Sequence, residues 1–180
     1  MKLQPRVLER SEVYSGKKFT VEKSVLELEP GSTTLFEAVR HPGAVVILPV
    51  SPSGELLMIR QFRPALGAAI LEFPAGTLEM GEAPLECARR EIVEEVGHQA
   101  GAMRELGILY PAPGFCDEKQ FLFVATELSP ASAPQDEDEI IEVVPLSVGA
   151  VHAAIKSGEL NDAKSIAAFY RAELEGLLPA

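Results

Sequence analysis

Nowhere in the chain do so many chemically demanding residues fall at fixed helical spacing as between Gly76 and Gly97, which reads GTLEMGEAPLECARREIVEEVG. Pro84 suits a first helical turn, where its missing N–H costs nothing, and Gly97 suits the residue just past a helix end, where φ turns positive. The two predict a helix from Pro84 to Val96. At about 100° per residue, Leu85, Ala88, Ile92 and Val96 form one apolar stripe, expected to face a core. Glu91, Glu94 and Glu95 gather about a quarter-turn away. Carboxylates at i, i+3 and i+4 repel one another by a few tenths of a kcal/mol per pair, so helix stability alone does not favour them. A hard divalent cation removes the conflict, because Mg²⁺ takes oxygen ligands and commonly bridges carboxylates to substrate phosphates.

The flanks of the stripe fit the same chemistry. Arg90 lies four residues from Glu94 and can brace its carboxylate, which makes it a supporting residue. Gly76 follows Phe73-Pro74-Ala75 and, with Gly81, lets the backbone bend close to a metal and to Glu82. Cys87 falls near the glutamate face, but hard cations prefer oxygen and no histidine base is placed beside it, so packing is expected for Cys87 and Cys116.

The spacing of Gly76, Glu82, Arg90-Glu91, Ile92, Glu94-Glu95 and Gly97 resembles the Nudix box, with His98 in place of its final apolar residue. The resemblance implies an α/β fold, an α/β/α sandwich with a mixed sheet, over about residues 43 to 146. It also implies cleavage of nucleoside diphosphates linked to another moiety. His41-Pro42-Gly43-Ala44, Gln61-Phe62-Arg63 and Pro113, sixteen residues beyond Gly97, resemble the ADP-ribose pyrophosphatase branch, although GDP-mannose hydrolases share much of this pattern. The implied reaction takes ADP-ribose to AMP and ribose 5-phosphate. A non-catalytic nucleotide-binding regulator with the same fold is the competing class. Such a protein is expected to lack a box glutamate, and none is missing here.

Carried over by position, the resemblance implies metal ligation by Glu91, Glu94, Glu95 and the Ala75 carbonyl, with Glu82 supporting the site. The metal is Mg²⁺, with Mn²⁺ as a substitute, and Glu95 counts with the catalytic residues as well. Arg63 matches an arginine on the substrate diphosphate, which suits a bidentate guanidinium. Arg40 has a weaker claim to the same anion, and Pro113, Gly114 and Phe115 lie in a loop rich in turn residues, of the kind that carries specificity. The water-activating glutamate of this branch precedes the last strand, where Glu137 aligns best and Glu139 second. A base in a loop can swing in after the substrate is bound.

Elsewhere the chain reads as one catalytic domain, 43–180, behind a β extension, 1–42. In the extension, Thr20 to Leu28 and Thr33 to Arg40 pair across a turn at Pro30-Gly31-Ser32. So small a sheet is marginal alone, and the extension resembles the one through which this branch dimerises, so a homodimer is expected, with Tyr14 or Phe19 packing in the extension or stacking on a substrate base. In the domain, Ala44 to Val50, Glu55 to Arg60, Arg104 to Tyr110, Phe121 to Glu127 and Ile140 to Leu146 read as strands. Ile70 to Phe73 leads into the box, and helices over Ser147 to Ser157 and Ala163 to Leu178 close the chain. In the last helix, Ile166, Ala167, Phe169 and Tyr170 are expected to supply apolar surface. A net charge of −11, from 27 acidic and 16 basic residues, argues against nucleic-acid binding. Two cysteines and a start, MKLQPRVLERS, without an apolar run point to a cytoplasmic protein with no membrane partner.

Overall fold

The computed structural model describes residues 4–133 and 140–179 and divides into two units, 1–43 with 110–119, and 44–109 with 120–180. The first is a three-stranded antiparallel sheet of β1 (Arg6–Ser15), β2 (Thr20–Glu29) and β3 (Ser32–Arg40), with β2 in the middle. The turn between β2 and β3 needs Gly31, whose φ of 83° an L side chain rarely adopts. The loop 110–119 joins this unit through β3, where the Val39 N–H donates to the Phe115 carbonyl at 2.8 Å and the Asp117 N–H to the Val39 carbonyl at 3.2 Å.

The second unit is organised by β4 (Ala44–Pro49), all six of whose residues are buried. A strand apolar at every position must have both faces covered. Val45 and Ile47 pack against Cys87, Ala88, Ile92 and Val96 of α1 (Pro84–Val96). Val46 and Leu48 pack in a second cluster with Val151 of α2 (Val148–Ser157) and Ala168 and Phe169 of α3 (Ala163–Leu174). The result is the expected sandwich, with helices on both sides of the strands. In one sheet β4 runs parallel to β9 (Gln120–Pro130) and antiparallel to β7 (Ala75–Thr77), and β8 (His98–Leu109) pairs with β9. The other sheet places β5 (Leu56–Arg63) between β10 (Ile141–Leu146) and β6 (Ala68–Glu72), both antiparallel to it. Phe73 and Phe169 are fully buried, each worth roughly 1.5–3 kcal/mol of transfer free energy.

Helix α1 keeps its expected ends. Pro84 opens it and Gly97, at φ 70°, closes it with its N–H on the carbonyls of Ile92 and Val93. Leu85 departs from the expected stripe: it is exposed, whereas Cys87, two residues on, is fully buried. The box loop is also more regular than expected, since Ala75–Thr77 pairs with β4 as a strand. Helix α3 stops at Leu174, short of the expected Leu178, where Gly176 turns at φ 66° and the Leu177 N–H bonds back to the Ala172 carbonyl. Its inward face is Ala168, Phe169 and Ala172, while Tyr170 is 40% exposed. Among the described residues no helix is long and apolar enough to cross a membrane.

Candidate active site

Three of the box carboxylates converge on Arg90. Its Nε and Nη2 donate to Glu82 at 3.0 and 3.1 Å, and its Nη1 donates to Glu91 at 2.7 Å and to Glu94 at 2.9 Å. The bond to Glu82 is the main reason that this guanidinium holds its proton even more tightly than usual. The same bond holds the Glu82 carboxyl below the ordinary range. The fourth carboxylate, Glu95, is 3% exposed and accepts from the Ala75 N–H at 2.9 Å. Helix α1 supplies the spacing, and β7, held on β4, delivers Ala75 and Gly76 to it. A Cβ at Gly76 would stand 1.8 Å from the Glu91 carboxyl, so this backbone approaches the carboxylate as only glycine can. Glu94 and Glu95 also line a hollow of about 390 Å³ with Gly97, Ala131 and Val143.

This donor set fits a hard divalent cation. Four carboxylates and one guanidinium leave three formal negative charges in excess, at least two of the carboxylates are buried, and every donor is oxygen. Among the described residues no three acidic, histidine or cysteine side chains stand ready-spaced as a cage, because Arg90 draws three of the carboxylates to itself. Cys87 is no rival as a ligand or nucleophile. Burial, then the charges of Glu82 and Glu91, push its thiol far up, and its Sγ is enclosed by the Gly76 and Thr77 carbonyls and Arg90. His98, the departure in the box, bonds through Nδ1 to the Val96 carbonyl at 2.9 Å.

Arg63, at the end of β5, lies in the same unit. Its Nε and Nη2 form a bidentate pair with Glu72 at 2.7 and 2.8 Å. Burial lowers its proton affinity, but the bond to Glu72, and the charges of Glu72, Glu95 and Asp162, raise it overall. Arg63 is thus within electrostatic reach of Glu95. Arg40, Pro113, Gly114 and Phe115 fall in the first unit. There Arg40 pairs with Glu22 at 2.5 Å and Asp117 at 3.0 Å, and Phe115 keeps an exposed ring. Tyr14 and Phe19 pack on each other with ring centroids 5.8 Å apart. Glu137 and Glu139 lie outside the described residues. Glu72 was not anticipated, yet a carboxylate inside the apolar run Ile70-Leu71-Glu72-Phe73 is a detectable anomaly, since a buried charge needs a partner.

The NUDIX domain family matches residues 39–169. An ADP-ribose pyrophosphatase of Bacillus subtilis (strain 168) is 36% identical to this chain, over 99% of it and 97% of the relative. A methanol dehydrogenase activator of Bacillus methanolicus is 33% identical, over 97% of this chain and 96% of its own. The crystal structure of an ADP compounds hydrolase superposes with a TM-score of 0.86 at 28% identity, covering 99% of this chain and 100% of the other. A box complete at every charged position, folded so that its glutamates meet at Arg90 and Ala75 and matched along the full chain by such relatives, leaves one assignment: the chain belongs to the Nudix family.

Proposed function

We propose that this chain is a metal-dependent hydrolase of the diphosphate bond of nucleoside diphosphate sugars, with ADP-ribose as its substrate and AMP and ribose 5-phosphate as products. The observation that carries the reading is the gathering of four box carboxylates at α1 beside Gly76. Glu91, Glu94, Glu95 and the Ala75 carbonyl would hold Mg²⁺ or Mn²⁺, with Glu82 in support. When bound, such an ion neutralises diphosphate charge and lowers the pKa of a water. Arg63 binds the diphosphate, to which Arg40, Pro113, Gly114 and Phe115 add substrate contacts. Glu137, with Glu139 second, takes the proton of the attacking water. The name of the Bacillus methanolicus relative raises a regulatory reading. The complete glutamate set favours hydrolysis. Both cysteines are free, as a cytoplasmic location would keep them.

A turnover screen of nucleoside diphosphate sugars with Mg²⁺ and product identification tests this. ADP-ribose is expected to lead GDP-mannose by about tenfold or more in kcat/KM. A lead for GDP-mannose moves the enzyme to that substrate, and no turnover of any member of the panel leaves the regulatory reading.

A homodimer is part of the same proposal. Every residue of β1 is exposed, and Val7, Leu8, Val13 and Leu35 present apolar surface from the first unit's sheet, an arrangement that a second copy of the chain would cover. Light scattering of the full chain at micromolar concentration should give twice the 19.4 kDa monomer mass, and Val13→Asp or Leu35→Asp should shift it to monomer. A wild-type monomer with full activity would remove the dimer from the proposal.

A further inference from the structure

Glu72 is fully buried yet carries two cations. Arg63 takes both of its oxygens, and Lys164 Nζ, at the start of α3, donates to Oε2. Lys164 also donates to Asp162 at 2.9 Å, and Asp162 caps α3 by accepting from the Ser165 N–H at 3.0 Å. The Ser165 hydroxyl donates to Asp162 at 2.6 Å and accepts from the Phe73 N–H at 2.8 Å. Two cations and two anions thus form a continuous chain that runs from the first turn of α3 to the end of β5. Its members differ in exposure: Glu72 has none, Lys164 and Asp162 have 13% and 15%, and Arg63 has 33%. The open end of the chain is Arg63.

The geometry at that end is selective. A guanidinium has two edges that can each grip an oxyanion with two parallel N–H bonds. Glu72 occupies the Nε–Nη2 edge, which pins the group against rotation and leaves the Nη1–Nη2 edge facing away from the carboxylate. Glu72 can hold this orientation only while its own carboxylate is held, and Lys164 is the residue that grips it from behind. Stability alone does not demand such a network, because a buried ion pair is commonly matched by apolar residues of similar volume.

We propose that Lys164 is a positioning residue for substrate binding: through Glu72 it fixes Arg63 with one bidentate edge presented to the diphosphate. The inference deepens the proposed function and rests on it. Lys164 touches no substrate atom and, through Arg63, supports binding equally in the ground and transition states, so its loss raises KM and leaves kcat nearly intact.

The test compares wild type, Lys164→Met, Lys164→Arg and Glu72→Gln, each alone and combined with Arg63→Ala. Two quantities are measured: KM and kcat for ADP-ribose, and the calorimetric Kd of its α,β-methylene analogue, which cannot be hydrolysed. Lys164→Met should raise both KM and Kd about tenfold or more, with kcat within about threefold of wild type. Lys164→Arg should restore most of the loss, and Glu72→Gln, which keeps the side chain's shape, should show the same split. In the Arg63→Ala background, Lys164→Met should add nothing, because the arginine through which it acts is gone. An unchanged KM and Kd in Lys164→Met and Glu72→Gln, or a full additional loss in the Arg63→Ala background, overturns the inference while wild-type turnover keeps the function standing. Wild-type protein that hydrolyses no nucleoside diphosphate sugar overturns the function itself.

Discussion

Glu95→Gln and Glu94→Gln are each expected to lower turnover by about a hundredfold or more while the protein stays folded, since even residues that only support a metal ligand cost 10–100-fold when removed. The structure explains why activity and stability separate here. Glu95 accepts from the Ala75 N–H, and glutamine keeps an oxygen that can accept the same bond. What disappears is one negative charge from a cluster that holds three in excess. For Glu94 the change removes one of the carboxylates on Arg90, but Glu82 and Glu91 remain on that guanidinium. A part-exposed pair of this kind is worth less than about 1 kcal/mol, and the loss of like-charge repulsion along α1 offsets part of it. Melting without metal should therefore match wild type or rise slightly, whereas the gain in melting temperature on adding Mg²⁺ should shrink. Metal-free melting far below wild type, with turnover preserved, would make these glutamates structural.

Gly76→Ala is expected to have a comparable effect on turnover by a different route. The backbone at Gly76 is not in the left-handed region, so alanine meets no conformational penalty there, unlike at Gly97. The obstacle is the Glu91 carboxyl, 1.8 Å from the new Cβ. Because the obstructing atoms are the end of a flexible side chain, the fold can survive if Glu91 swings away, at a cost of about 1–3 kcal/mol for overpacking against the buried Glu91 side chain. Glu91 would then leave its place on Arg90, and about a hundredfold of turnover should go with it. Calorimetry should show weakened Mg²⁺ binding in a protein with a wild-type circular dichroism spectrum. Wild-type Mg²⁺ affinity in Gly76→Ala would show that the close approach of β7 to Glu91 has no functional part.

These two predictions differ in how far they were legible before the fold was known. The glutamate ridge is a local property: helical spacing brings Glu91, Glu94 and Glu95 together, and Pro84 and Gly97 set the ends of their helix through backbone chemistry confined to a few residues. The buried run of β4 is legible for the same reason, since continuous apolar sequence states that both faces are covered. Gly76 is intermediate, as its small size is visible in sequence but the atom that requires it is not.

Leu85 marks a limit of the local argument. It satisfies the apolar periodicity of α1 yet stays exposed, because periodicity gives the direction in which a side chain points and not whether a neighbouring element covers it. The partners of Arg90 were legible in part. Glu94 lies one helical turn away, whereas Glu82 reaches Arg90 only through the fold of the loop that ends with Gly81.

By itself, then, the sequence determined the helix and its ridge of carboxylates, because each follows from spacing within one or two turns, and through its resemblance to the Nudix box it pointed to the family and the layered α/β class. The tertiary structure alone decided that Arg63 is held by a buried Glu72 and that Lys164, 92 residues further along the chain, holds Glu72 in turn. No short-range periodicity encodes that contact. It exists because β5, β6 and the first turn of α3 are brought together by packing around Phe73 and Phe169, and a buried carboxylate takes whichever cations that packing delivers.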